Sequence, residues 1–120
     1  MHVFDESREM YLKTIFLLSQ ESDFVRSVDV ANALHYSKPS VSRAVKNLVN
    51  EGSIEVQEDG RIVLLESGYN EARSINEKHE ILTEIFIKYL KLDPKLAEDD
   101  ACKVEHVISE ETFQALKKLI

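Results

Sequence analysis

The apolar positions of the chain change their period twice, and those changes divide it into elements. Across residues 5–20, Met10, Ile15, Leu17 and Leu18 recur among charged residues at helical spacing, and Ser22-Asp23 closes this first helix. Ser27 has the chemistry of an N-cap, so Val28 to Leu34 is expected as a short second helix with Val30, Ala31 and Leu34 inward. His35, Tyr36 and Ser37 then form a turn. Ser37 caps a third helix, which tolerates Pro39 because first-turn amides have no intrahelical partner. That helix runs through Val41, Val45, Leu48 and Val49 and stops at Glu51-Gly52. Beyond Gly52 the period falls to two. Residues 53–57 alternate, Asp59-Gly60 is a turn signal, and residues 62–65 read as a returning strand. Three helices followed by a hairpin make the pattern of a winged helix-turn-helix, whose second paired helix enters a DNA major groove.

From Ser67-Gly68 the helical period returns. Ala72, Ile75, His79, Leu82, Ile85, Phe86 and Tyr89 form one long stripe ending near Leu92-Asp93-Pro94. A shorter helix is expected through Leu96, Ala101, Val104 and Val107, and Ser109 to Thr112 opens a last one carrying Phe113, Leu116 and Leu119. Short amphipathic helices bury their apolar faces only by packing on other elements or on a second copy of the chain. A homodimer is the economical expectation, and it matches a palindromic double-stranded operator.

Charge tests the DNA reading. The net charge of −7 opposes binding to phosphates, but the position of the charges decides. Between Tyr36 and Asn50 the charged residues are Lys38, Arg43 and Lys46, with no acid, whereas acids gather at Asp5-Glu6, Glu58-Asp59 and Glu98-Asp99-Asp100. Ser37, Ser40 and Ser42 are small donors for close approach to phosphates or base edges. Arg43 suits a bidentate contact to guanine, Lys38 and Lys46 suit phosphates, and Arg61 at the wing tip can reach a phosphate or the minor groove. Pro39 completes the candidate DNA-facing set.

The lone Cys102 excludes an internal disulfide, and the most apolar run, residues 81–92, is broken by Glu84, Lys88 and Lys91, so no membrane span is expected and the cytoplasm is favoured. No glycine-rich phosphate loop or nucleophile–base pattern points to an enzyme.

Cys102, Glu105 and His106 occupy i, i+3 and i+4, which share a helix face, so a thiolate, a carboxylate and an imidazole converge on one cation. Three ligands from one helix leave the site open, and a further ligand has to come from elsewhere. Two other readings fit the same residues: a metal-independent winged-helix regulator with a redox-sensitive Cys102, and a winged helix that binds proteins.

The stretches Glu9-Met10-Tyr11-Leu12-Lys13-Thr14-Ile15, Ser37-Lys38-Pro39-Ser40-Val41-Ser42 and Ala101-Cys102-Lys103-Val104-Glu105-His106-Val107 resemble the diphtheria-toxin-repressor family of iron-dependent regulators. The resemblance covers nearly the whole chain in one register. It implies a mainly α fold, with a winged helix-turn-helix over residues 1–73 and a helical dimerisation and metal-binding domain over residues 74–120. It further implies a metal site of Met10, Cys102, Glu105 and His106 that activates DNA binding, and repression of metal-uptake genes. A second site in the family uses a His at the position of His79, for which His79 and Glu98 are the candidates here. Glu98 replaces a family His, and Thr83, flanked by Glu80 and Glu84, replaces a family Glu. The family's C-terminal SH3-like domain has no counterpart in these residues. Manganese transport regulators, similar in length, carry carboxylates where this chain has Met10 and Cys102 and a further acid where it has Lys13. Sulfur donors rank Fe(II) first and Mn(II) second as the expected cofactor.

Overall fold

The computed structural model describes residues 6–120, with side chains from residue 7 onward. His2, and the predicted start of the first helix at Asp5, lie outside the described residues. Six helices and one hairpin follow in the order α1 (Glu6–Glu21), α2 (Ser27–Leu34), α3 (Lys38–Asn50), β1 (Ile54–Val56), β2 (Ile62–Leu64), α4 (Glu66–Lys88), α5 (Pro94–Val104) and α6 (Glu110–Lys117). The chain divides into two compact units, one of Asp5–Arg73 and one containing Ser74–Ile120.

In the first unit, Tyr11, Leu12, Ile15 and Phe16 are the buried apolar face of α1, and Lys13 and Thr14 are buried between them. The i, i+1, i+4, i+5 spacing of the four apolar residues sets one helical stripe. The expected Leu17 falls one residue further round and is exposed, with Leu18 and Met10 at the margins. The start of α2 differs from expectation. Ser27 is already helical, and the cap is Arg26, whose backbone N–H donates to the Asp29 carboxylate at 2.8 Å. That carboxylate reaches back from the third helical position to the N-cap amide, while the Asp29 N–H donates to the Arg26 carbonyl at 3.0 Å. At the other end His35 takes a left-handed conformation (φ 59°), and the Tyr36 N–H donates to the Ala31 carbonyl at 3.1 Å. This closes α2 abruptly and turns the chain into α3.

Ser37 caps α3 as expected, its Oγ accepting from the Ser40 N–H at 3.3 Å, and Pro39 sits harmlessly in the first turn. Val41, Val45 and Leu48 are buried; Val49 lies off that stripe and is exposed. Gly52 adopts φ +80°, letting the Ser53 N–H reach back to the Leu48 carbonyl at 3.0 Å and end the helix. The wing pairs Ile54 with Leu64, Glu55 with Val63 and Val56 with Ile62 in antiparallel register. Its tip turns through Glu58-Asp59-Gly60, with Gly60 at φ +88° and its N–H donating to the Gln57 carbonyl at 2.9 Å. The core formed by α1, α2, α3 and the hairpin is completed by Ala72 from the start of α4. That helix comes so close that a Cβ on Gly68 would lie 2.1 Å from the Ser53 carbonyl oxygen.

An arginine that periodicity does not flag ties this unit together. The Arg8 guanidinium donates to Glu51 at the end of α3 (2.8 Å) and makes a two-pronged pair with Glu71 of α4, its Nη2–Oε1 contact at 2.9 Å. The bonds to Glu71, ahead of those to Glu51, push the Arg8 pKa further up from its ordinary value.

In the second unit Ile75, Leu82 and Ile85 of α4, Ala97 and Ala101 of α5 and Phe113 of α6 are buried. Lys78 pairs with Glu110 at 3.3 Å and lies over the Phe113 ring, and Lys117 pairs with Glu77 at 2.8 Å. The Glu110 carboxyl is held below its ordinary pKa, first by the Gln114 amide and then by Lys78. The α5 stripe is narrower than its sequence suggests: Leu96 is exposed, and Val107 lies beyond the end of the helix and is exposed. No described helix is long and apolar enough to cross a membrane.

Replacing Gly68 with alanine should lower stability by about 1–3 kcal/mol, because the new methyl meets a backbone carbonyl that cannot swing aside. Thermal unfolding followed by circular dichroism checks this; an unchanged melting temperature would rule out the close approach of α4 to Ser53.

Candidate functional site

Burying Val41, Val45 and Leu48 turns the opposite half of α3 to solvent. Lys38, Pro39, Ser42, Arg43 and Lys46 are exposed there, as is Ser37 at the cap, while Ser40 is half-buried. No acid lies within α3. The three serines are not equivalent. Ser42 is exposed, whereas the Ser37 Oγ donates to the Ser40 Oγ at 2.8 Å while accepting from the Ser40 amide. The Arg43 Nη2 in turn donates to the Ser40 Oγ at 3.4 Å. Arg43 also lines a groove of about 240 Å³ with Arg8, Tyr11, Ser40, Asn47 and Glu51. Burial pushes the Tyr11 phenol up, and Tyr36 adds to this against an opposing effect of Arg43. The exposed amides of Asn47 and Asn50 extend the same face and escaped the sequence reading, although an asparagine on a recognition helix suits adenine. Arg61 is half-buried with its Nε inaccessible, in a cavity of about 480 Å³ shared with Phe16, Asp23 and Tyr69. Its stem is therefore not extended from the wing tip.

In the second unit a buried carboxylate organises the polar residues. Glu105 is 2% exposed and His106 is 5% exposed, both in the turn that follows α5. Glu105 keeps right-handed helical dihedrals and its N–H bonds to the Ala101 carbonyl, so the i, i+3 relation to Cys102 persists past the end of the helix. The Glu105 Oε1 lies 3.5 Å from the His79 Nδ1 and 3.8 Å from the His106 Nε2, and the other nitrogen of His79 lies 3.9 Å from Glu98. The His79 Nδ1 is buried and makes no hydrogen bond among the described residues. Its separation from Glu105 is long for a hydrogen bond. Among the described residues these donors form linked pairs, and no three of them are closed into a single shell.

His79 thus stands beside Glu105, a pairing that the sequence reading, which put the two residues in different sites, did not anticipate. The available signal was a histidine within the apolar stripe of α4. Cys102 is half-buried on α5, one turn before Glu105. Met10 is half-buried on α1 in the other unit. Thr83 donates its hydroxyl to the His79 carbonyl at 2.7 Å. A shallow groove of about 480 Å³ is lined by His79, Glu80, Thr83, Glu84, Lys88 and Glu98.

Residues 4–62 match the N-terminal DNA-binding domain of the iron-dependent repressors, and residues 65–120 match their metal-binding and dimerisation domain. The chain belongs to the iron-dependent repressor family. It is 35% identical over 107 residues to the transcriptional regulator MntR of Escherichia coli O6:H1, covering 89% of this chain and 68% of that protein. It is 30% identical over 115 residues to the diphtheria toxin repressor of Corynebacterium diphtheriae, covering 96% of this chain and 51% of that one. The chain therefore spans about half the length of that repressor. Among solved structures, the metal-dependent transcriptional regulator MtsR superposes with a TM-score of 0.87 at 25% identity, over 94% of this chain and 53% of its own. Within this family the mainly α fold, a winged helix followed by a helical unit, is the expected one, and the fold predicted from the sequence agrees.

The Glu105→Gln substitution should weaken Mn(II) binding by at least about tenfold, because it removes the charge at the centre of the donor cluster while keeping its shape. Calorimetric titration measures this, and unchanged affinity would take Glu105 out of the metal site.

Proposed function

We propose that the protein is a metal-activated transcriptional repressor that binds a palindromic operator as a homodimer in the cytoplasm, shuts down metal-uptake genes, and does no enzymatic chemistry. The observation that carries this reading is the convergence of the buried Glu105 carboxylate with His79 and His106, since carboxylate oxygen and imidazole nitrogen are donors that divalent transition metals take. The donors fit a divalent transition metal: imidazole nitrogens and carboxylate oxygens from His79, Glu98, Glu105 and His106, with the Cys102 thiolate one turn away. Met10 joins this set on the strength of sequence resemblance. When bound, the metal supplies positive charge and fixed bonds that hold these donors together. Glu105 and His106 are held in place by the turn after α5, and His79 by the α4 backbone. Cys102 and the histidines have to lose their protons to ligate, so affinity for metal rises with pH. On α3, Arg43 reads bases while Lys38 and Lys46 neutralise phosphates.

The donor set supports two metals. Cys102 and Met10 favour Fe(II), whereas the nitrogen and oxygen donors around Glu105 suit Mn(II) equally well. DNA-binding anisotropy on upstream-region fragments, run anaerobically with Fe(II) and then with Mn(II), tests DNA binding, metal dependence and metal choice together. Binding that ignores both metals would favour a metal-independent regulator, and the absence of any binding would favour a protein-interaction module.

Two variants sharpen the reading. Cys102→Ala should abolish stimulation by Fe(II) while leaving far-ultraviolet circular dichroism unchanged; intact stimulation would remove Cys102 from the site. Lys46→Ala should weaken binding almost equally on all sequences and reduce the salt slope by about 1. A loss confined to one operator sequence would instead make Lys46 a base contact.

A further inference from the structure

We infer that Ser40 is a positioning residue for Arg43: it takes part in sequence recognition by holding the guanidinium, not by touching DNA itself. The inference rests on α3 being the DNA-reading helix, and it deepens that reading.

The argument starts from what an unrestrained arginine does. A long exposed side chain samples many rotamers, and fixing it in one bidentate pose costs conformational entropy at the moment of binding. Arg43 is exposed at the edge of its groove, so burial alone does not select that pose. Its guanidinium makes one hydrogen bond among the described residues, to the Ser40 Oγ at 3.4 Å, one helical turn back. Ser40 can hold it because its own hydroxyl is fixed. The Ser37 Oγ donates to it at 2.8 Å, and the Ser37 oxygen is itself anchored by accepting the Ser40 amide. A hydroxyl that accepts from both Ser37 and Arg43 presents its oxygen inward along the helix, and Ser40 is half-buried where Ser42 is exposed. The helix cap and the reading side chain are thereby joined in one relay, from Ser37 to Ser40 to Arg43.

A second observation concerns the competitor. Among the described residues Glu51 is the one acid lining the groove that Arg43 shares, and a carboxylate would hold a guanidinium far more strongly than a hydroxyl does. Arg8 occupies Glu51 at 2.8 Å. With that acid engaged, Arg43 rests on a weak neutral partner that it can leave or keep when a guanine edge arrives. Holding a reader by a hydroxyl limits its motion without neutralising its charge.

The test is a double-mutant cycle on the full chain, with metal present, read by anisotropy on an operator and on a set of operators altered one base pair at a time. Ser40→Ala should reduce discrimination roughly three- to tenfold, and only at the base pair where Arg43→Ala also relaxes it. In the Arg43→Ala background, Ser40→Ala should then change nothing further. The salt slope should be the same for Ser40→Ala as for the unmodified protein, because no phosphate contact is lost. Ser40→Thr, which keeps the hydroxyl, should restore discrimination, separating the relay from loss of helix stability. Additive effects of the two substitutions, or a reduced salt slope for Ser40→Ala, would overturn the inference and make Ser40 a direct contact while leaving the DNA reading intact. If the unmodified protein binds none of the fragments, the inference and the reading fall together.

Discussion

A carboxylate removed from water has to be compensated on the spot, and Glu105 sets that demand for the second unit. An unbalanced buried charge costs several kcal/mol, comparable with the whole stability of a small domain. Several local features bear on how Glu105 is accommodated. The α-helix ends at Val104, yet Glu105 keeps helical dihedrals and so stays in register with Cys102. His79 comes to it from α4, where Thr83 bonds back to the carbonyl of that histidine, and His106 lies next to it in the same turn. Glu98 then stands on the far side of His79. Imidazole nitrogens and carboxylate oxygens are thereby gathered around one buried residue, which is the feature on which the proposed metal site rests.

The first unit solves the opposite problem. A chain with a net charge of −7 keeps one helix surface free of acids, and α3 carries Lys38, Arg43 and Lys46 on that surface. The acid that lies just past the end of α3, Glu51, is engaged by Arg8, which also grips Glu71 at the start of α4. One residue therefore braces α1 against two other elements and removes a negative charge from the vicinity of Arg43. Screening by salt makes the bridges themselves modest in energy, so their importance lies in where they put the charge.

Helix and strand order was readable from the sequence because the apolar period reports burial directly. Val30, Ala31, Val41, Val45 and Leu48 all lie where their spacing puts them. The misreadings arose where several residues compete for one function. The run from Met10 to Leu18 offers more apolar side chains than one helix face can bury, and packing selected Tyr11, Leu12, Ile15 and Phe16. Ser27 and Asp29 both have capping oxygens, and the carboxylate three positions into the helix won. The i, i+3, i+4 spacing of Cys102, Glu105 and His106 signalled a ligand cluster, but spacing within one segment cannot report a partner from another helix. The place of His79 beside Glu105 and the pairings of Arg8 depend on tertiary contacts between residues 26 to 63 positions apart, which no local pattern encodes.

The division of α3 into two faces has a consequence for how such a protein changes over generations. Val41, Val45 and Leu48 are buried in the core, and Ser42, Lys46 and Asn50 are exposed. On the proposed reading of α3 the outer residues form an alphabet that can be rewritten without rebuilding the scaffold, so operator preference would drift at little expense in stability. Ser37 and Ser40 are the exception, because they both start the helix and steady its reader. Duplicated copies of the gene would diverge fastest at the outer positions and slowest at these two serines, where a change of preference also loosens the first turn.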